Sequence, residues 1–503
     1  MQHTEHTYRY FVEPNGRSCK AYKNNQCHWP RGKVIGGSGA INAMLFVRGN
    51  RFDYDRWSDE GSEGWSYDEI WPYFEKLVRP VGNETHPQGY VTVNEFPRLT
   101  DDIYELLFKG SGELGVPKVD DFIEGSYIGY GFIKGTFKDG HRASTGKGHL
   151  GKVSQRPNLK VIKNAQVTKL VFDSTGKRVE AVEFVLRQKH QLKVNVKREA
   201  ILSAGTIDTP KILMLSGVGS ENKLKPFNIP VVHDLPIGEN LQDHVLIHMY
   251  WRLPGKPYDQ KVLLDSVYQY LIHNKGPFAT NGAISLTGFI NTNFDRKNIY
   301  PDMEFHHIII RRGDLMGLDI FLRGLNIKDE FRAHLTDAVN DYDILAMFAV
   351  LSHPKSVGNI QLKSNSAQDP PLINADYLSA PEDVEVLLRA MKYLMKLEQT
   401  QAFREKEVEI LHIPLEECDQ HEFKSEEYWK CYFSYFSSTC YHHVGTVKMG
   451  DVNDESACVD PRLKLKGTDN LRVIDASVMP YVTSGNTNAP TAMIAEKASD
   501  FLD

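Results

Sequence analysis

Two adjacent imidazoles carry the first chemistry in this chain. Cys440-Tyr-His442-His443-Val-Gly445-Thr446 sets His442 beside His443, and successive side chains point apart on either a strand or a helix. Such a pair is a poor joint metal site, yet one ring can act as a general base, the alternative being a structural role. His244 and His248 have the i, i+4 spacing of a zinc-binding helix face but lack the acidic residue of an H-E-x-x-H pattern, so no metal is expected there. Gly36-Gly37-Ser38-Gly39, with Asn42 and Ala43 close behind, lets backbone N–H groups approach a pyrophosphate or a flat ring, or is a plain turn. Ala40 to Phe46 would then run on as a helix or an extended wall. Gly110-Ser-Gly112-Glu-Leu-Gly115 spells G-x-G-x-x-G, but a helical pattern precedes it and Val116-Pro117 follows. Without a strand before it and a helix after it, it reads as a decoy.

Elements must hold these groups in place. Val161 to Val171 and Val179 to Leu186 read as strands around the turn Asp173-Ser-Thr-Gly176, and Lys197 to Ser203 is a third β-rich run. That run ends at Ala204-Gly205, after which Asp208-Thr209-Pro210 opens an apolar helix that stops at Ser216-Gly217. The theme returns at the C-terminus: a short strand Leu471 to Ile474, a small-residue loop from Asp475 to Asn488, and a helix from Pro490 to Leu502. A helix N-terminus after a strand can face an anionic or dipolar ligand. Between them, Trp251 to Ala349 shows no clean period and reads as a cap or substrate region, while Ser379-Ala-Pro-Glu382 is a capping box for a one-faced apolar helix through Val384, Leu387, Leu388, Met391, Leu394 and Met395.

Composition narrows the function classes. With 503 residues, 41% apolar and 25% charged, the chain has the makeup of a folded globular protein of two or three domains, or of one large α/β body with insertions. A net charge of -6 with no basic stripe argues against nucleic acid as a partner. The longest apolar run, Ile344 to Leu351, falls far short of the roughly 18 residues that read as a transmembrane segment, so none is expected. Residues 1–8 contain no apolar signal region. Six cysteines are too few for a disulfide scaffold; Cys19 and Cys27, flanking Asn24-Asn25, are the exception and would close a turn in an oxidising compartment, or stay reduced elsewhere. The sequon Asn83-Glu-Thr85 would fit a secreted, extracellular protein.

Together these segments resemble the glucose-methanol-choline (GMC) family of FAD-dependent oxidoreductases. Gly32 to Asp55 resembles its first signature, Gly205 to Gly217 its second, Gly238-Glu-Asn240-Leu-Gln242-Asp243-His244 the loop that follows, and Tyr441 to Thr446 with Ile474 to Ser477 and Gly485 to Thr491 its C-terminal block. Trp29 to Lys33, Val47 to Asn50 and Asp53 to Asp55 are most similar to the animal glucose-dehydrogenase-like branch. The resemblance implies an α/β fold: an FAD-binding Rossmann-like domain with a second, α+β substrate-binding cap domain. It divides the chain into 1–250 as the FAD-binding region, 251–354 as the cap and 355–498 as the region carrying the catalytic block.

The family's roles fall on particular residues. Gly36, Gly37, Ser38, Asn42 and Ala43 would wrap the pyrophosphate and flavin edge, Val167 would meet the adenine, Asp475 and Ala476 the pyrophosphate and ribityl chain, and Asn488 the flavin N1 side. His442 would be the catalytic base and Asn486 its partner at a position that is His or Asn in relatives. The expected reaction is oxidation of an alcohol or sugar CH–OH group by hydride transfer to FAD, with oxygen or a quinone as electron acceptor. The family's opening strand, G-x-G-x-x-G turn and helix have no counterpart, because residues 8–14 already match a later point, and Gly39 stands where a second small hydroxyl is usual. The expectation is therefore a Rossmann-like domain lacking its opening βαβ unit and holding FAD weakly, with a catalytically inactive remnant that binds no FAD as the alternative.

Overall fold

A computed structural model of the chain describes residues 4–80, 90–98, 101–122, 127–293 and 299–502. The Asn83 sequon lies outside the described residues. The chain starts with an antiparallel hairpin, β1 (Thr7–Phe11) on β2 (His28–Gly32), in register from Thr7 opposite Gly32 to Phe11 opposite His28. The connection is closed by a Cys19–Cys27 disulfide with Cα atoms 5.4 Å apart, the pairing that the spacing across Asn24-Asn25 suggests. A second disulfide, Cys418–Cys431, corrects the reading that only the first pair would bridge; it ties a loop to the helix Glu426–Phe436, a contact that spacing does not announce.

Helix α1 (Arg51–Asp59) is nucleated by a capping box in which Asn50 and Asp53 satisfy each other's backbone donors. Helix α2 (Asp101–Glu113) contains Gly110 and Gly112, so the G-x-G-x-x-G there is helix interior followed by a turn at Gly115, φ 79°. The glycine has a packing reason: a Cβ on Gly110 would sit 2.7 Å from the ring of Phe403, on the short helix Gln401–Glu405.

A strand β3 (Gly129–Phe132) precedes a three-stranded antiparallel sheet of β4 (Ala165–Phe172), β5 (Val179–Leu186) and β6 (His190–Asn195), with β5 in the middle. The first begins later than Val161, and β6 escapes the sequence reading because all of its residues are exposed, so no apolar face marks it. The run after it gives β7 (Ala200–Leu202), Gly205 at φ 83° and α3 (Gly205–Leu215), which ends at Ser216 and the left-handed Gly217.

Next comes the largest sheet. Its strands β8 (Val245–Leu253), β9 (Leu286–Ile290), β10 (Met303–Ile310), β11 (Asp343–Leu351) and β12 (Glu409–Ile410) order as β12-β8-β11-β10-β9-β3, and β13 (Ser437–Thr439) also pairs with β8. Every residue of β11 is buried, which is why the middle of the chain shows no alternation: a strand covered on both faces reads as a continuous apolar run. Helix α4 (Pro381–Glu398) covers this region with Leu387, Leu388, Met391 and Leu394 buried, but it starts from Ala380 with Pro381 at N1 rather than through the Ser379–Glu382 box. Finally β14 (Leu471–Val473) lies parallel to β7, Ala200 opposite Leu471, and leads to α5 (Asn488–Ala498). Parallel neighbours release their following loops at the same edge, so the starts of α3 and the Asp475 loop meet there. No helix among the described residues is long and apolar enough to cross a membrane.

Substituting Gly110→Val forces a branched side chain into the Phe403 ring and should lower unfolding stability by about 1–3 kcal/mol. Flavin affinity per folded molecule should not change. Urea denaturation with parallel FAD titration tests this, and a variant of unchanged stability with weakened flavin binding would return Gly110 to a cofactor role.

Candidate active site

The catalytic block grows from a bulge in a buried ladder. Gln242 pairs with Val444, and Val245 pairs with Thr439, so Asp243 and His244 on one side face the four residues 440–443 on the other. The excess is accommodated by Tyr441 in a left-handed conformation, φ 64°, and by Gly445 at φ 93°, where a Cβ would stand 2.3 Å from the Asn240 carbonyl oxygen. Asp243 holds the bulge from below. Its Oδ1 accepts the His442 N–H at 2.8 Å, and its Oδ2 accepts from Thr439 Oγ1 at 2.7 Å and from Tyr377 Oη. Burial would raise this carboxyl, but the His443 ring beside it and the donors aimed at it win, holding it down at about 2.

The two histidines diverge as adjacent side chains should. His443 stacks on Trp29, ring centroids 3.6 Å apart and planes 7° from parallel, with its Nδ1 3.4 Å from Asp243 Oδ2. His442 turns the other way: its Nδ1 is 2.9 Å from His244 Nδ1, and its Nε2 is 3.1 Å from Asn486 Nδ2. Burial, then the neighbouring His244, keeps the His442 pKa well below the ordinary imidazole value, so the ring is neutral near pH 7.

Asn486 reaches this spot on a loop fixed from two sides. Gln242 Nε2 and Asn240 Nδ2 donate to the Pro480 carbonyl at 2.9 and 3.1 Å, while Asp53 accepts from the Ser484 N–H at 2.7 Å and from Ser484 Oγ at 3.0 Å. The Asn486 Oδ1 is buried without a hydrogen-bond partner.

The glycine loop forms a wall beside the start of the helix that follows Asn486. Gly36 and Gly37 are left-handed, φ 93° and 53°, and Gly37–Ala40 is a single 3₁₀ turn; the chain beyond it is irregular, correcting the expected helix or extended wall over Ala40 to Phe46. Ser38 Oγ accepts the Gly32 N–H at 3.2 Å and closes the loop on β2. Arg142 donates to Asn42 Oδ1 and to the Asn42 carbonyl, both at 2.6 Å, and Asn281 Nδ2 donates to the Ala43 carbonyl at 3.3 Å. Gly39 meets the start of α5, where a Cβ would lie 3.1 Å from Asn488 Oδ1. No side chain caps α5, so its first-turn donors and the positive end of its dipole face this wall.

These features fit FAD. Left-handed glycines without side chains, a half-buried Gly36–Asn42 wall, an uncapped helix start and an orphaned amide oxygen suit a flat ring that gains negative charge on reduction and carries a pyrophosphate. Asp475 sits at the end of β14, but its carboxylate is taken by protein donors: the Gly205 N–H at 2.8 Å, Thr209 Oγ1 at 2.6 Å and the Ser477 N–H at 2.8 Å. Ala476 accepts the Gly445 N–H through its carbonyl at 3.3 Å. Val167 lies on β4 beside a register shift, in a sheet separate from the one whose strands β8 and β13 lead to the His442 bulge.

The structure therefore gathers His442, Asn486, Asn488 and the glycine loop. It also recruits residues that the sequence reading left without a role. His244 and His248 lie on or beside strand β8 rather than on a helix, and each is committed elsewhere, His244 to His442 and His248 Nδ1 to Tyr22 Oη at 2.8 Å. The motif Gly238 to His244 was the available signal for Asp243 and His244, but which partner each meets depends on pairing across 199 residues. Nothing local marks Arg142. Gly146-Lys-Gly148-His-Leu-Gly151 also spells G-x-G-x-x-G, and Gly146 packs backbone to backbone on Gly36.

Asp243→Asn should destabilise the protein at pH 7 by about 2 kcal/mol, from a carboxyl held at about 2 when folded against 3.8 unfolded. Because the folded value is the lower one, this contribution is present above about pH 4 and is lost as pH falls toward about 2, so the gap between variant and parent should close over that window. Urea titrations at pH 7, 4 and 2.5 measure it; a gap constant with pH would contradict the ionised anchor.

Comparison with known proteins agrees with this geometry. The GMC oxidoreductase family matches residues 8–246 through its N-terminal model and 354–495 through its C-terminal model. Glucose dehydrogenase (FAD, quinone) of Drosophila pseudoobscura pseudoobscura is 33% identical over 98% of this chain and 78% of its own length. Mitochondrial choline dehydrogenase of Mus musculus is 33% identical over 94% and 76%. Among solved structures, formate oxidase of Aspergillus oryzae superposes with a TM-score of 0.82 at 20% identity, over 99% of this chain and 88% of that one. Pyridoxine 4-oxidase from Mesorbium loti gives 0.79 at 23% identity, over 99% and 89%. The chain thus belongs to the GMC family of FAD-dependent oxidoreductases that act on CH–OH donors.

Proposed function

We propose that this site oxidises the CH–OH group of a small alcohol or sugar, with His442 taking the hydroxyl proton and Asn486 steadying the oxygen. The observation that carries this reading is the 3.1 Å approach of Asn486 Nδ2 to His442 Nε2. It sets a lone pair and an N–H donor side by side, and an alcohol losing its proton needs both: one to receive the proton, the other to hold the developing alkoxide. A substrate hydroxyl entering between them replaces one hydrogen bond with two. FAD, when bound, supplies the acceptor for the hydride that leaves the carbon. Gly36, Gly37, Ser38, Asn42, Ala43 and Asn488 are the residues that would hold its ring and pyrophosphate, with Asp475, Ala476 and Val167 serving its remaining length.

Burial of His442 keeps the ring neutral and able to accept, and it keeps water from competing for the alkoxide. The relatives named for glucose, choline and other alcohols support a small polar alcohol as donor. Their names also give quinone for one group and oxygen for another, and a quinone or oxygen is the acceptor proposed here. The relatives, named as dehydrogenases, support an active enzyme over an inactive remnant.

In flavin-loaded protein, His442→Ala should slow anaerobic flavin reduction by an alcohol by about 10²–10⁴. A protonated imidazole cannot accept, so the parent rate should rise with pH through the His442 pKa, which lies below the usual value of about 6.5, and the variant should lose that limb. Asn486→Ala should slow reduction by about 10²–10³ yet keep the limb, and Asn486→His should retain activity. Stopped-flow reduction across pH distinguishes these outcomes. An unchanged profile in His442→Ala would falsify the assignment.

A further inference from the structure

We infer that His244 is a positioning residue for His442: it fixes the tautomer that leaves His442 Nε2 able to accept, and it then receives the proton that His442 sheds. This deepens the reading above and rests on it.

Counting hydrogens fixes the tautomer. A neutral imidazole has one donor nitrogen and one acceptor nitrogen. Two ring nitrogens 2.9 Å apart share one proton, so one of the two Nδ1 atoms must present a lone pair. Asn486 decides which. In the amide orientation of the structure, Asn486 Nδ2 stands 3.1 Å from His442 Nε2 and can only donate, so with that orientation the His442 nitrogen carries the lone pair. Neutral His442 therefore has its proton on Nδ1 and donates it to His244 Nδ1. The reverse arrangement, with His442 protonated at Nε2, would set N–H against N–H at Asn486 and abolish the base. His244 is the acceptor that excludes this arrangement.

The surroundings give the proton a direction. His244 is fully buried at the start of β8. Asp243 on its own segment and Glu304 on β10 favour a cation there, whereas His306 on β10 opposes it and burial opposes it most. Glu304 is itself fully buried, its two carboxylate oxygens lack hydrogen-bond partners, and one of them is 3.2 Å from His306 Nε2. His442 is worse placed for charge, since His244, His306 and His443 all oppose a cation on it and only Asp243 favours one. His353, which follows β11 and feels His244, and the buried Cys440 thiol, which feels Glu304 and Asp243, are further ionisable groups near the pair. When a hydroxyl proton bonds to His442 Nε2, the N–H bond at His442 Nδ1 breaks and one forms at His244 Nδ1. One proton enters His442 and one leaves. The ring stays neutral, and the positive charge moves one residue toward Glu304.

Two substitutions separate this from simple packing. In His244→Asn an amide oxygen can accept from His442 Nδ1–H but cannot take the proton, whereas in His244→Phe neither is possible. Holoenzyme labelled with ¹⁵N-histidine reports the His442 tautomer without turnover, with His442→Gln identifying its signals, and stopped-flow reduction across pH reports the rate. His244→Phe should shift His442 away from the Nδ1–H form and slow reduction by about 10–100-fold, while His244→Asn should restore the tautomer but only part of the rate. Parent-like ring shifts and pH profile in His244→Phe overturn the inference, and so does an Asn variant with the full parent rate at every pH. Should His244→Phe fail to fold, His244→Asn still decides: it must keep the tautomer and lose rate. If His442→Ala leaves reduction unchanged, the fault lies in the reading of His442 as base, and the ring shifts still report whether His244 sets its tautomer.

Discussion

The site depends on one buried carboxylate. A four-residue segment facing two residues in a closed ladder leaves backbone donors pointing inward with no strand to meet them, and an unmet buried donor costs about 1–3 kcal/mol. Asp243 answers the His442 N–H directly and uses its second oxygen to draw in Thr439 and Tyr377. The consequence for function is that His442 is located through its backbone. Its side chain carries no structural duty toward Asp243, so both ring nitrogens remain for chemistry. A buried charge is tolerable only when donors surround it, and here they come from both sides of the bulge and from Tyr377.

Asp53 shows the same device with the opposite balance. It accepts from the Asn50 and Ser484 N–H groups, from Ser484 Oγ and from Tyr300 Oη, yet burial outweighs them and its carboxyl rises to about 6. The leading influences on Asp53 are burial and its donors, whereas His443 is a leading influence on Asp243. Its folded value lies above the unfolded one, so its ionised form subtracts stability above about pH 6, and that cost fades as pH falls toward 4. Asp243 behaves in reverse, losing its contribution below about pH 4. The loops of His442 and Asn486 are thus anchored by carboxylates whose pH dependences do not coincide.

What the sequence made legible was local. The span Val179 to Leu186, the helix ending at the left-handed Gly217, and the C-terminal strand, loop and helix announce themselves through apolar runs and glycine stops, but the two helices start at Gly205 and Asn488, ahead of the Asp208-Thr209-Pro210 and Pro490 starts that the sequence suggests, and Pro210 lies inside its helix. Strand β6 is exposed along its whole length and β11 is buried along its whole length, so neither shows the alternation by which strands are found. Motif resemblance brought Gly238 to His244 and Tyr441 to Thr446 to notice separately. That the first fits inside the second, with His244 against His442 and Asp243 beneath it, is a matter of register between distant segments. A one-residue slip would turn each of these side chains to the other face. For the same reason His244 and His248 look like a helix face in one dimension and are two unrelated hydrogen bonds in three.

Burial sets two opposed demands on such a site. A dry pocket strengthens the Asn486 N–H against a developing alkoxide, since the same dipole acts through a lower dielectric. The same dryness lowers the affinity of His442 for a proton, making it a poorer base as the oxyanion partner becomes a better one. A base in water resolves this by solvating its charge. Here the ring is buried, and the neighbours able to share the charge lie on its Nδ1 side, opposite Asn486: first His244, then Asp243 and Glu304 around it. Separating the face that meets the substrate from the face that disposes of the proton lets one neutral, buried imidazole serve both demands, and the bulge that Asp243 holds gives the ring those two faces.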